Sequence, residues 1–219
     1  MNHLSTSRFL WGFLAIAIAA ALGAAVWTGL RVWPRQGGWD ERPLEGLKNF
    51  GTVPDFSLIE RSGKSFGLVD LRDKIWIANF IYTNCKDTCP LQSAEMAGLQ
   101  NDLADKADVK LVSISVDPER DTPQALSRYA ERFKADPDRW LFLTGEKREI
   151  YRLAQEGFRL SAVPASNAGQ ENNASILHSA RFVLVDGKAQ IRGYYQSTDA
   201  EAMKRLSRDL KKLLRRDMR

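Results

Sequence analysis

The chain has 219 residues, of which 44% are hydrophobic and 27% are charged. A chain of this composition can bury a hydrophobic core, which excludes a disordered or low-complexity protein. The formal net charge is +5, but residues 199–219 hold eight Lys/Arg and four Asp/Glu and so carry +4 of it. Because the remainder is close to neutral, the charge distribution argues against a nucleic-acid-binding protein.

The first predicted element is a membrane anchor. No charged residue lies between Arg8 and Arg31, and a helix of that length would span about 33 Å, enough for a hydrocarbon core of about 30 Å. We therefore predict an N-terminal tail at 1–8 and an uncleaved transmembrane anchor at 9–30, since a cleaved signal peptide has a shorter apolar region. A single Arg in the first 30 residues disfavours a mitochondrial presequence, which leaves a bacterial inner-membrane anchor as the simpler interpretation.

A linker and one folded domain follow the anchor. Residues 31–52 contain two Pro and four Gly among mixed charges, a composition typical of a flexible tether. The folded domain is predicted at 53–219.

The domain alternates apolar strands with helices. Two nearly unbroken apolar runs, at 75–82 and 109–116, predict strands that are buried on both faces. A helix is predicted after each strand, the first with Pro90 at its first helical position and the second with Thr122 as its N-cap. The remaining predicted elements are a strand at 140–143, a helix around 150–154, a hairpin of strands 181–185 and 191–195 that turns at 186–187, and a last helix from about 203. This order predicts an α/β sheet layered with helices.

The last helix admits two interpretations. Its apolar stripe is formed by Met203, Leu206, Leu210, Leu213 and Leu214, with Lys and Arg on the other positions. The helix could lie on a membrane surface, or it could pack its stripe on the sheet and leave its charges in solvent. The second interpretation is favoured.

The two cysteines of the chain lie together at a strand-to-helix loop. Cys85 and Cys89 follow the strand at 75–82, at the edge of an α/β sheet where ligands bind and where the next helix stabilises negative charge. We predict a lowered thiol pKa for Cys89, because it precedes Pro90 at the helix start. Three intervening residues allow both sulfurs to share an ion or to form a disulfide. The alternative is an inert packing pair or disulfide, but the location favours a chemical role.

The available donors narrow the choice of metal. A structural zinc site needs four N or S ligands, whereas the chain outside the membrane segment offers two thiols and one imidazole, His178. Copper(I) accepts soft thiolates at low coordination number, and copper(II) stays open if oxygen ligands join. His178 lies between a polar loop at 161–175 and the strand at 181–185, which leaves a ligand role and an ordinary polar role equally open.

Asp117 and Asp121 follow the strand at 109–116. Asp-Pro and Asp-Thr-Pro sequences commonly form turns and helix caps. We favour that structural role over direct metal binding.

Three segments together resemble the SCO/SenC family. They are FIYTNCKDTCP at 80–90, VDPERDTP at 116–123, and His178 before an apolar strand that ends in VDG at 185–187. The resemblance extends from about Pro54 to the carboxyl terminus, and the single anchor ahead of it also suits the family.

The resemblance implies a thioredoxin-like fold and a membrane-tethered domain that faces the periplasm or intermembrane space. It implies copper binding through Cys85, Cys89 and His178. It further implies assembly of the copper A centre of cytochrome c oxidase, by delivery of copper or by reduction of the recipient's cysteines. The implied partner is the oxidase subunit that carries this centre, or another copper chaperone.

The sequence departs from the family pattern at three positions. Asn84 stands where the family often has His, Lys86 where it often has Pro, and Leu177 where several members have an acidic residue. The first two bear on the loop and the thiol pKa, and the third removes an acceptor for the imidazole. These departures bear on copper affinity and on the client rather than on the identity of the ligands.

The main hypothesis is a copper metallochaperone in which oxidation of Cys85 and Cys89 releases the metal. The rival is a thiol-disulfide oxidoreductase, which needs the cysteine pair but not His178, although its usual motif has two intervening residues instead of three. A peroxidase-like enzyme and a copper-sensing or purely structural anchor protein are further alternatives.

Overall fold

The computed structural model describes residues 46–106, 108–160 and 180–217. The predicted anchor at 9–30, most of the predicted linker, and His178 lie outside the described residues. Among the helices that are described, none is long and apolar enough to span a bilayer.

The described residues form an α/β domain, as the sequence predicts. Its elements are β1 (Ser57–Glu60), β2 (Ser65–Gly67), β3 (Ile75–Ile81), α1 (Thr88–Asp102), β4 (Val109–Ser115), α2 (Pro123–Arg132), β5 (Trp140–Thr144), α3 (Lys147–Arg152), β6 (Arg181–Val185), β7 (Ile191–Gln196) and α4 (Ala200–Asp217). A π-helical turn, Leu153–Gly157, continues α3. Strands β1 and β2 are additions to the predicted elements.

The strands form one sheet in the order β2-β1-β5-β4-β3-β6-β7. Strands β3, β4 and β5 are parallel to one another, whereas β1 and β6 run antiparallel to the strands beside them. All seven residues of β3 are buried, because helices cover both faces of the sheet centre. This double burial explains the unbroken apolar run in the sequence.

Each face of the sheet has its own hydrophobic core. On one face, α3 and the π-helical turn pack against β3 residues such as Trp76, whose ring lies 5.8 Å from that of Phe158. On the other face, α1, α2 and α4 pack against alternate residues of β3, and this core includes Cys85 and Cys89.

Helix α4 packs on the sheet, which confirms the favoured interpretation of its stripe. The side chains of Ala202, Leu206, Leu210 and Leu213 are buried against the sheet. The predicted stripe members Met203 and Leu214 are only partly buried at its margin.

The residues just before the predicted domain boundary lie along β7. The Phe50 N–H donates to the Ile191 carbonyl at 2.9 Å, and the Ile191 N–H donates to the Gly51 carbonyl at 2.8 Å. The turn between β6 and β7 is longer than the predicted two-residue turn. It spans Asp186 to Gln190, and Ala189 takes a left-handed conformation with φ of 60°.

Candidate functional site

The structure brings Cys85 and Cys89 together as free thiols at the carboxyl end of β3. Cys85 lies in the loop that follows the strand, and Cys89 lies in the first turn of α1. Both are buried, with 8% and 6% of their surfaces exposed. The Cys89 N–H donates to the Cys85 sulfur at 3.4 Å, and the Cys89 thiol donates a second hydrogen bond to the same sulfur.

Helix α1 begins two residues earlier than predicted. Asp87 is its N-cap residue, so Pro90 is the third helical residue rather than the first. The Asp87 side chain makes no capping hydrogen bond. The Cys85 sulfur accepts backbone N–H groups from Asp87 and Cys89 instead, and it therefore occupies the place of a helix cap.

In this geometry Cys85, rather than Cys89, is the thiol with the lowered pKa. Burial raises the pKa of the Cys85 thiol, but the N–H groups of Cys89 and Asp87, with donors from the Cys89 thiol and Tyr82, outweigh burial and leave its pKa below the ordinary value. Burial raises the pKa of Cys89 to about 12, and the charges of Cys85 and Asp121 add to this effect. The predicted low pKa of Cys89 is wrong, because the helix start stabilises a thiolate on Cys85.

The Tyr82 hydroxyl is one of the donors to Cys85. Its own pKa is raised to about 12, mainly by burial and also by the hydrogen bond to Cys85. The hydroxyl therefore stays protonated at neutral pH and remains available as a donor.

The Tyr82→Phe variant tests this donor. Loss of one hydrogen bond to a charged acceptor is expected to raise the Cys85 pKa and to slow alkylation of Cys85 at pH 7.5 by about three- to tenfold. The rate is measured with iodoacetamide on the reduced, metal-free protein, with Tyr151→Phe as the control because Tyr151 is also a part-buried tyrosine. An unchanged rate in Tyr82→Phe would contradict the assignment.

The segment 116–123 contributes more to the site than turns and caps. The Asp117 carbonyl accepts turn hydrogen bonds from Arg120 and Asp121, and Thr122 caps α2 by accepting the Ala125 N–H at 3.3 Å. These contacts confirm the turn and cap interpretation for this segment. The Asp121 side chain, however, bonds to the cysteine loop through Thr83.

Sequence reasoning missed a second polar group near the dithiol. The hydroxyls of Ser93 and Tyr129 lie 2.9 Å apart in the same buried layer as Cys89. Burial raises the pKa of Tyr129 to about 12, and the charge of Cys89 adds to this rise. Tyr129 therefore stays neutral beside the thiols. Because Tyr129 lies in the apolar stripe of α2, the sequence does not distinguish it from an ordinary core residue.

The third predicted ligand, His178, lies outside the described residues and stays a prediction. Within the described ranges, no group of three or more His, Cys, Asp or Glu side chains is arranged to hold a metal ion. The described part of the site is thus the pair of sulfurs.

The buried dithiol lies where a parallel strand meets the start of a helix, and the mixed sheet is flanked by helices. This combination defines a thioredoxin-like dithiol protein. The family model described as SCO1/SenC matches residues 45–215. The chain therefore belongs to the SCO1/SenC family, as the resemblance predicts.

Individual relatives agree with this assignment. The SCO1 protein homolog of Bacillus subtilis is 37% identical over 140 residues, which are 62% of this chain and 70% of that protein. BsSco, described as having a disulfide switch and as a member of the Sco family of cytochrome c oxidase assembly proteins, is 29% identical with a TM-score of 0.64 over 78% of this chain and 97% of that one. Copper-bound ScoI of Arabidopsis thaliana is 28% identical with a TM-score of 0.61 over 76% of this chain and 99% of that one.

Proposed function

We propose that this protein is a copper metallochaperone for assembly of the copper A centre of cytochrome c oxidase. The observation that carries the proposal is the buried pair of free thiols, in which the Cys85 sulfur already accepts hydrogen bonds from Cys89. The copper-bound structure of one relative and the assembly role ascribed to another support it.

Copper is the cargo of this site, with Cys85, Cys89 and His178 as its proposed ligands. Two adjacent sulfurs form the soft donor set that copper(I) prefers, and one imidazole completes a low coordination number. Both sulfurs lie among buried apolar side chains, and such a shell limits access of water to a bound ion. The two sulfurs are thus shielded from water and lie close together before the metal binds.

Oxidation of the two thiols would release the cargo. A client disulfide can accept the two electrons: its S–S bond breaks, a Cys85–Cys89 bond forms between the two metal-bound thiolates, and the two client thiolates that are released bind the copper or take up protons from solvent. The new disulfide removes two of the three proposed ligands. The disulfide switch described for BsSco supports this gate.

We further propose that a single helix at 9–30 tethers the protein to the bacterial inner membrane. The linker at 31–52 would then carry the domain at 53–219 on the periplasmic side. The partner is the oxidase subunit that carries the copper A site, or another copper chaperone.

A thiol-disulfide reductase acting on the same client is the second candidate. The asymmetry of the two thiols favours it: the Cys85 thiolate, with a lowered pKa, would attack the client disulfide. Cys89, as it passes its proton to the leaving client sulfur, would then resolve the mixed disulfide. The two functions share the sulfurs and differ in their need for His178.

The test is an anaerobic copper(I) titration of the reduced protein against a competing chelator. We expect one tight equivalent that is lost on oxidation. In His178→Ala, the copper(I) affinity should fall by at least about 10–100-fold, because loss of a mere hydrogen-bond partner of a metal ligand already costs that much. Disulfide exchange with a model client should be retained. Absence of tight binding, or binding indifferent to His178, would favour the reductase.

A further inference from the structure

Asp121 is a fully buried carboxylate beside the dithiol. It has 0% exposure and accepts three hydrogen bonds: from the Thr83 N–H at 3.0 Å, from the Thr83 hydroxyl at 2.5 Å and from the Ser115 hydroxyl at 2.5 Å. None of the ion pairs between described residues includes Asp121. Among the described residues, hydrogen bonds rather than an ion pair therefore stabilise this buried acidic side chain.

The donors connect two strands that end at the same edge of the sheet. Ser115 is the last residue of β4, and Thr83 lies two residues beyond the end of β3. Thr83 is separated from Asp121 by 38 positions in the chain. The carboxylate thus ties the beginning of the cysteine loop to the neighbouring strand.

The tie continues to the sulfurs through the loop backbone. The Cys85 N–H donates to the Tyr82 carbonyl at 3.2 Å and closes a turn that contains Thr83. That turn places the Cys85 sulfur 3.4 Å from the Cys89 N–H. Because Asp121 accepts hydrogen bonds from both the N–H and the hydroxyl of Thr83, the position of this turn is fixed relative to Asp121.

We propose that Asp121 is a positioning residue for the Cys85–Cys89 dithiol, acting through its two hydrogen bonds to Thr83. It touches neither the cargo nor the client and sets the relative placement of the two sulfurs. Its effect on copper rests on the proposed function. Its effect on disulfide formation does not, because the two cysteines are present in either case.

A matched control separates positioning from simple stability. Asp209 is also buried, with 6% exposure, and accepts hydrogen bonds from the Tyr195 hydroxyl and the Lys212 ammonium, both at 2.9 Å. Asp209 lies in α4, and its two donors belong to β7 and α4 rather than to the cysteine loop. Asp121→Asn and Asp209→Asn therefore make the same chemical change to a buried carboxylate, but only the first affects a residue bonded to that loop.

The experiment uses the full chain with each variant. In the metal-free protein, the equilibrium constant between dithiol and disulfide is measured against glutathione, and copper(I) affinity is measured separately with a chelator. Asp121→Asn is expected to shift the disulfide equilibrium about tenfold and to weaken copper(I) about 10–100-fold. Asp209→Asn should change both by no more than about twofold.

A second pair of variants tests the same bonds through their donor. Thr83→Ser keeps both the N–H and a hydroxyl and should retain wild-type values, whereas Thr83→Val loses the hydroxyl bond and should shift the disulfide equilibrium in the same direction as Asp121→Asn. This pair decides the matter if Asp121→Asn fails to fold. Equal behaviour of Thr83→Ser and Thr83→Val, or of the two Asp→Asn variants, would overturn the proposal. A wild-type protein that binds no copper while Asp121→Asn still shifts the disulfide equilibrium would instead overturn the proposed function alone.

Discussion

Iodoacetamide is expected to modify Cys85 at least about thirtyfold faster than Cys89 in the reduced protein at pH 7.5. Cys89 has a pKa of about 12 against an ordinary 9.0, so its thiolate fraction is about a thousandfold lower than that of an ordinary thiol. The higher nucleophilicity of a more basic thiolate recovers only about 15- to 30-fold of this loss. The lowered pKa of Cys85 widens the difference further.

The rates are measured by mass spectrometry of peptides after short exposure to the reagent. The rate at Cys85 should approach its plateau at a lower pH than that of an ordinary thiol, because the pKa of Cys85 is lowered, whereas the rate at Cys89 should still be rising there. In urea both cysteines should react at similar rates, since their environments become equivalent. Faster modification of Cys89 in the folded protein would refute the thiol asymmetry.

The central strands could be predicted from the sequence because their apolar runs do not depend on which helices cover them. An apolar run such as 75–82 reports that both faces are covered, whichever helices cover them. Strand β1 is different: it has four residues, and Ile59 on its outer face is 41% exposed. Its signal is too short to distinguish from a loop, and β2 with three residues is shorter still.

The dithiol could be located from the sequence, but its electrostatics could not. Pro90 marks a helix start by local rules, yet α1 begins at Thr88 because the Cys85 sulfur accepts the first N–H groups. Asp87 is a residue type that often caps helices, but its side chain makes no capping hydrogen bond here. A shift of two residues is enough to transfer the stabilised thiolate from one cysteine to the other.

Asp121 illustrates the same limit at longer range. Its sequence neighbours indicate a turn and a cap, and the structure shows both within 116–123. Its side chain, however, bonds to a residue 38 positions away. Only the parallel pairing of β3 with β4 brings Thr83 and Asp121 to one sheet edge, and that pairing is a tertiary property.

Copper(I) affinity is expected to rise at least about tenfold per pH unit between pH 7.5 and 9.5. Thiol ligands must lose their protons to bind metal, so each proton displaced adds one tenfold step per unit. The pKa of Cys89 is about 12, and this thiol therefore gives up a proton on binding across the whole range. Cys85, with its lowered pKa, displaces a second proton only at pH values below that pKa. The tenfold step per pH unit is therefore the contribution of Cys89.

The Cys89→Ser variant is the matched control for this slope. It removes the thiol of high pKa and keeps Cys85, so its remaining affinity should become independent of pH once Cys85 is ionised. The range starts at pH 7.5 to stay above the region in which free histidine titrates. A wild-type affinity that stays constant from pH 7.5 to 9.5 would mean that copper binding displaces no proton from Cys89. In that case Cys89 would not be a thiolate ligand, and the dithiol would serve the reductase function instead.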